Sequence, residues 1–208
     1  MTSRNLVRLF FSTLLLGGLT AGIVGFIARW EEFEHLFSPF STGEVITTFL
    51  WFIGVGLIFS VISQMGFFAY LTIHRFGLGI FKTERLWNWV QLVLIAFVIF
   101  DLVYLRYIAF GNGESILPYI SLAALVLIIG LVVAYVKMKQ TNHHAFIPSL
   151  FFMIVVTVIE WVPVLRANDE GWLFFMLIPL LVCNAYQLLI LARLNEKSQK
   201  ELAAKKSK

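Results

Sequence analysis

Charged residues are scarce in this chain of 208 residues: Asp, Glu, Lys and Arg together make up 13%, against 60% for hydrophobic residues. Soluble domains carry about a quarter charged residues and about half apolar ones. A water-compatible surface cannot be built from this composition at this length. The sequence therefore predicts that lipid is the solvent of this chain, and it excludes a water-soluble globular domain.

Cysteine is nearly absent, and the histidines are few. The one cysteine, Cys183, lies inside an apolar run, which excludes an intramolecular disulfide and a paired-cysteine metal site. We interpret Cys183 as a packing residue. His74, His143 and His144 form no HExxH pattern, and a metal site needs three or four convergent ligands. We predict no metal site.

Common catalytic motifs are missing as well. The sequence contains no GxSxG, no Walker loop and no dinucleotide-binding fingerprint. We therefore predict no catalytic residues and no cofactor, and we interpret the chain as something other than an enzyme.

What the chain has is long, uniformly apolar runs. A spanning helix needs about 20 such residues, whereas strands of a membrane barrel alternate in polarity. The predicted fold is an all-α, polytopic integral membrane helix bundle with six transmembrane helices in residues 1–194, followed by a basic cytoplasmic tail in residues 195–208. The predicted spans are Val7–Ile27, Val45–Thr72, Trp87–Tyr107, Ile116–Val136, Phe146–Leu165 and Trp172–Leu194.

The connection between the second and third spans is the most polar stretch near the middle of the chain. The apolar run ends at His74, and we predict that Gly77 and Gly79 stop the helix. A tight basic loop then leads to Thr83, which is expected to cap the next helix.

Basic residues are distributed unevenly between the two sides that six spans create. The side with both termini and the second and fourth loops has thirteen Lys and Arg residues, and the other side has three, Arg29, Arg106 and Arg166. Because Lys and Arg concentrate on the cytoplasmic side, we predict a multi-pass protein of the cell membrane with both termini cytoplasmic. The positive charge then serves topology and binds anionic headgroups, and no nucleic-acid partner is predicted.

Four charged residues near the outer ends of the spans are candidate ligand-binding residues: Asp101, Arg106, Glu160 and Arg166. A charge in hydrocarbon costs about 2.5–3.5 kcal/mol on insertion scales, so such groups usually face the protein interior with a partner. One interpretation is a polar pocket that senses a small ligand or protons. The other is a structural ion pair, or carboxyl groups that reach outward to the membrane interface, and this second interpretation describes the more common use of such residues.

Small and polar residues share one face of the second span: Gly56, Ser60, Ser63 and Gln64. We predict that this face makes helix–helix contacts. With Asn184 and Gln187 of the sixth span, these residues are expected to form interhelical hydrogen bonds rather than a transport pathway. In the first span, the pairs Gly18–Gly22 and Ala21–Gly25 predict close approach of another helix.

Three segments carry a resemblance to a known family. SRNLVRLFF at the start, WFIGVGLIFSVISQMGFFAYLTIHRFGLGIFK from Trp51 and LWNWVQ from Leu86 resemble the KinB-signalling-pathway activation family, KbaA, of spore-forming bacilli. The similarity is strongest from Trp51 to Gln91 and extends over most of the chain.

The resemblance implies an integral plasma-membrane protein that promotes the onset of sporulation. Such proteins act upstream of, or beside, the membrane histidine kinase KinB, which feeds phosphate into the sporulation phosphorelay. It brings no catalytic residues with it. Our hypothesis is a regulatory protein that contacts the spanning segments of KinB through the Gly56–Ser60–Gln64 face. The alternative is a small transporter or a ligand-sensing membrane receptor that uses Asp101 and Glu160.

Overall fold

A computed structural model describes residues 2–38, 40–113 and 115–206, and every element that it describes is helical. The α-helices are α1 Ser3–Ala28, α2 Trp30–Phe33, α3 Thr42–Phe81, α4 Glu84–Phe100, α5 Arg106–Phe110, α6 Leu117–Gln140, α7 Phe146–Phe151, α8 Thr157–Ala167 and α9 Glu170–Lys206. Two π-helical turns, Asp101–Leu105 and Phe152–Val156, join α4 to α5 and α7 to α8. Short 3-10 turns cover Glu34–Leu36 and His143–Ala145.

Six continuous helical segments within the described residues are long and apolar enough to cross a membrane. The all-α class and the six segments are therefore confirmed. The observed segments are Ser3–Ala28, Thr42–Phe81, Glu84–Phe110, Leu117–Gln140, His143–Ala167 and Glu170–Ala204. All six are longer than predicted, because helical backbone hydrogen bonding continues into flanking residues that composition assigns to loops.

The prediction that glycine stops the second helix is wrong. Helix α3 continues through Gly77 and Gly79 and ends at Phe81. Glycine inside a helix costs only about 1 kcal/mol, and at Gly77 the missing side chain makes room for Trp87, whose Cε2 would lie 2.5 Å from an added Cβ. The predicted cap is confirmed, since Thr83 Oγ1 accepts a hydrogen bond from the Leu86 N–H at 3.3 Å.

The chain divides into two compact units, and the first comprises Met1–Met65 with Trp161–Lys208. Helix α1 packs along α9 in this unit. Its aromatic core surrounds Phe52, which is fully buried and makes ring contacts with Phe26 and Phe175 at centroid distances of 5.1 Å. These contacts fix the part of α3 that carries Gly56 and Ser60.

The second unit is Gly66–Glu160. Its core is also aromatic: Phe67 and Tyr70, on the later part of α3, contact Phe152 at centroid distances of 5.5 and 5.0 Å. The π-helical turn that contains Phe152 is completely buried. A wider helical turn shifts the register of the side chains that follow it, so this turn changes which residues after it share a face with those before it.

The predicted basic tail is helical as far as it is described. Helix α9 runs without interruption to Lys206. Ser198 is buried, and its Oγ accepts hydrogen bonds from the Thr2 backbone N–H at 3.0 Å and from Asn5 Nδ2 at 2.9 Å. Arg4 and Glu201 form an ion pair on the surface. The division into a spanning domain and a tail stays a prediction.

Candidate functional site

Close packing of α1 on α3 positions the polar residues of the first unit. An added Cβ at Gly56 would lie 2.3 Å from Ala21 Cβ and 2.7 Å from the Gly17 carbonyl oxygen. An added Cβ at Gly25 would lie 2.4 Å from the Phe52 ring. The predicted close approach at the small residues of the first span is confirmed, and the partner helix is α3 of the same chain.

This close approach buries Ser60 between α1 and α3. Its Oγ donates a hydrogen bond to the Thr13 backbone carbonyl at 2.9 Å, and Gln64 Nε2 lies 3.4 Å from the same Oγ. The Cys183 thiol of α9 approaches the Thr13 carbonyl oxygen at 3.8 Å. Ser60 thus connects the backbone of α1 to α3.

A second buried polar cluster connects α3 to α9. Ser63 Oγ donates to Asn184 Oδ1 at 2.7 Å and accepts from Gln187 Nε2 at 2.7 Å. Gln187 Nε2 also donates to the Cys183 carbonyl oxygen at 3.3 Å. The predicted interhelical hydrogen bonding is confirmed for Ser63, Asn184 and Gln187. The described hydrogen bond of Gln64, by contrast, is to Ser60 on its own helix.

The predicted helix-contact face is therefore occupied by this chain. Gly56, Ser60, Ser63 and Gln64 are all buried. Their described contacts are with α1 and α9, so a spanning helix of another protein could reach them only after these helices moved apart. The kinase contact predicted for this face therefore conflicts with the packing of α1 and α9 against it.

Two of the four predicted ligand-binding residues lie around the first π-helical turn. Asp101 begins the turn and is half-buried, whereas Arg106 follows it and is buried. The Arg106 guanidinium lies over the Tyr119 ring, 5.5 Å from its centroid, a distance at which a cation is attracted by the ring face. The contact with the Tyr119 ring thus helps to hold the Arg106 side chain in place. The sequence did not indicate this contact.

The other two predicted residues lie on α8. Glu160 is buried at 7% exposure, and Gly66 leaves the space for its carboxylate, because an added Cβ there would collide with Glu160 Oε1. Arg166, near the end of α8, is exposed. The ligand-binding role of all four residues remains a prediction.

Sequence reasoning missed a polar contact in the second unit. The Trp87 indole N–H donates to His74 Nδ1 at 3.0 Å, and the Tyr70 hydroxyl donates to the Pro148 carbonyl oxygen at 2.9 Å. Helical periodicity links residues on one helix only, so it gives no signal for pairs on different helices. These contacts bind α3 to α4 and to α7.

A metal site needs three or four convergent ligands. Among the described residues, no group of three or more His, Cys, Asp or Glu side chains is placed to hold a metal ion. Cys183 is a free, buried thiol. The polar groups described above pair helix with helix.

The described residues define an all-α protein with six helices that are long enough to cross a membrane. Buried hydrogen bonds join several of these helices to one another. A family model described as "KinB-signalling pathway activation in sporulation" matches residues 17–194. The chain belongs to this family, KbaA.

A relative from Bacillus subtilis (strain 168), named KinB-signaling pathway activation protein, is 53% identical over 194 residues. The match covers 93% of this chain and 98% of the relative. No solved structure matches the chain.

Proposed function

We propose that this chain is an integral membrane protein that activates the KinB sensor kinase branch of the sporulation phosphorelay. The observation that carries the proposal is the 53% identity to the Bacillus subtilis KinB-signaling pathway activation protein, over 98% of that protein's length. An activator without chemistry of its own can act by binding one state of the kinase more tightly than another. Direct contact between the two proteins is therefore part of the proposal.

Placement in the membrane is supported by the outward side chains of α1. Leu15, Ile23 and Ile27 are more than 60% exposed, and a soluble protein rarely exposes a continuous apolar surface of this kind. We place residues 1–194 in the cell membrane and residues 195–208 in the cytoplasm, with both termini inside the cell.

The outer α3 face is our proposed kinase-contact surface. It consists of exposed residues that recur every three or four positions on the first-unit part of α3: Leu50, Gly54, Ile58, Val61 and Met65. An added Cβ at Gly54 would meet no atom within 4 Å. Gly54 thus forms a notch between large side chains, and small residues in membrane helices let a second helix approach closely.

Complementation in Bacillus subtilis tests both parts of this proposal. In a strain that lacks its own relative of this chain, the wild-type chain is expected to restore KinB-dependent sporulation. A Gly54→Leu variant fills the notch and prevents the close helix approach that small residues allow. We expect it to lower spore counts roughly tenfold, the effect of about 1.4 kcal/mol of contact energy. Spore counts and membrane levels of each variant are measured together.

Gly79→Leu is the matched control, since Gly79 lies on the same helix and an added Cβ there also meets no atom within 4 Å. It should complement like the wild type. If the wild-type chain fails to complement at normal membrane level, the proposed activity is wrong. If Gly54→Leu complements fully, the activity stands and the contact surface is elsewhere.

Ligand sensing is the second candidate function, favoured by the burial of Arg106 and Glu160 at 8% and 7% exposure. A variant carrying Asp101→Asn and Glu160→Gln removes both acids with little change of shape. If the acids bind a ligand that controls signalling, spore counts should fall to those of the empty strain while the protein level stays normal. Unchanged sporulation would assign these acids to structure.

A further inference from the structure

A groove of about 510 Å³ opens on the second unit, between the first turns of α4 and the start of α7. Its volume is in the range of ~300–1,000 Å³ that small-molecule sites have in proteins. None of the predicted site residues lines it.

The groove changes from polar to apolar along its length. Glu84 and Arg85 line it in the first turn of α4, and Leu92 lines it two turns further on. At 1.5 Å rise per residue, these ends are about 12 Å apart along the helix. The facing segment repeats this order, with His144 before Ile147. A ligand that fits must itself be polar at one end and apolar at the other.

The polar end offers a positive charge. Glu84 Oε2 lies 3.3 Å from His144 Nδ1, and the two side chains form an ion pair when the imidazole is protonated. Among the described residues Arg85 makes no ion pair. Asn88, one turn into α4, adds an amide to the lining next to this cation. The polar end is therefore suited to an anionic oxygen group.

Trp89 lines the groove between the two ends and is exposed. Tryptophan is enriched where membrane and water meet, and basic pockets on the cytoplasmic side bind anionic lipid headgroups. The order of cation, indole and aliphatic side chains therefore matches the order of headgroup, glycerol and acyl chain in a phospholipid.

We propose that this groove binds one anionic phospholipid, with its phosphate at Arg85 and Asn88 and an acyl chain along Leu92 and Ile147. The inference depends on the proposed membrane placement, with Arg85 on the cytoplasmic side. A zwitterionic lipid fits less well, because its ammonium group would lie close to the Arg85 guanidinium at the same end of the groove.

Native mass spectrometry of the purified full-length chain tests this inference. The protein in detergent is titrated with phosphatidylglycerol or phosphatidylcholine, and bound lipid is counted. We expect one phosphatidylglycerol to be retained in preference to phosphatidylcholine. Arg85→Gln should weaken its retention roughly fivefold, since a basic residue near an anionic headgroup is worth about 1 kcal/mol.

Two further variants make the test specific. Leu92→Trp fills the apolar end and should also lower retention, whereas Lys139→Gln removes an exposed cation outside the groove and should not. The midpoint of thermal unfolding confirms that each variant is folded. If Arg85→Gln is unstable, lipid retention by Leu92→Trp tests the inference instead.

Three results would overturn the inference: equal retention of both lipids, equal retention by wild type and Leu92→Trp, or displacement of the lipid by water-soluble glycerophosphoglycerol at similar concentration. The last result would assign the groove to a free phosphate ester. The side on which Arg85 lies is measured separately by cysteine labelling, so failure of lipid binding is distinguishable from failure of the membrane placement.

Discussion

Replacing Gly56 by leucine is expected to lower the thermal midpoint of unfolding by about 10 °C in detergent, because overpacking a tight contact costs about 3 kcal/mol and each kcal/mol shifts the midpoint by about 2–4 °C at this size. An added Cβ would lie 2.3 Å from Ala21 Cβ, 2.7 Å from the Gly17 carbonyl oxygen and 3.0 Å from Gly18 Cα. Two of these atoms belong to the α1 backbone and cannot rotate away. The helices must therefore separate, and the Ser60 hydrogen bond to Thr13 is lost with them.

Gly54→Leu is the control for this prediction. The same substitution two residues earlier on α3 adds the same side chain at an exposed position, where an added Cβ meets no atom within 4 Å. We expect its midpoint to stay close to that of the wild type, measured by fluorescence-detected gel filtration after heating. Equal midpoints for the two variants would show that α1 does not pack against α3 at Gly56.

Substitutions at these two glycines also distinguish a loss of folded protein from a loss of signalling. Gly56→Leu should reduce sporulation through the loss of folded protein in the membrane. Gly54→Leu should reduce it at a normal protein level. A kinase contact at the buried face would instead require Gly56→Leu to leave the protein level unchanged and abolish activation.

The six helices could be predicted from the sequence because a spanning segment must be apolar along its whole length and must satisfy its backbone hydrogen bonds internally. The same physics explains the misplaced end of α3. With the membrane placement that we propose, α3 continues through Gly77 and Gly79 because leaving backbone groups unpaired costs more than the low helix propensity of glycine. At Gly77 the sequence signal was real, but it marked close approach of Trp87.

The sequence predicted that the interior polar residues would form hydrogen bonds between helices, but it did not predict which helix would supply the partner. Spacing placed Ser60, Ser63 and Gln64 on one face, and polar side chains in an apolar helix predict hydrogen bonds to another helix. Which helix supplies the partner depends on how the helices pack in the folded chain. Helical periodicity contains no information on this packing. The face consequently looked available to a kinase, although α1 and Asn184 of α9 occupy it.

Surface sites were the hardest to predict. The groove beside Arg85 combines residues from α4 with His144 and Ile147, which are more than fifty positions away in the sequence. Each of these residues alone is ordinary for a membrane boundary. Arg85, Trp89 and Leu92 share one face of α4 by their spacing, but only the fold places His144 and Ile147 opposite them.

Labelling with a membrane-impermeant maleimide should give an almost complete difference between two positions on opposite sides of the membrane. In a Cys183→Ala background, Ser115→Cys places a thiol in the exposed turn before α6, and Gln140→Cys places one at the exposed end of α6. Alanine is smaller than cysteine, so the α1 contact at Cys183 tolerates the change. The thirteen-to-three distribution of basic residues predicts that position 140 is cytoplasmic.

In intact cells the Ser115→Cys variant should therefore be labelled and the Gln140→Cys variant should not. After permeabilisation both should be labelled, which controls for access to each thiol. The reverse result in intact cells would put both termini outside, together with Arg85. A kinase whose catalytic part works in the cytoplasm could then be reached only through the spanning helices, and the groove beside Arg85 would face the opposite leaflet.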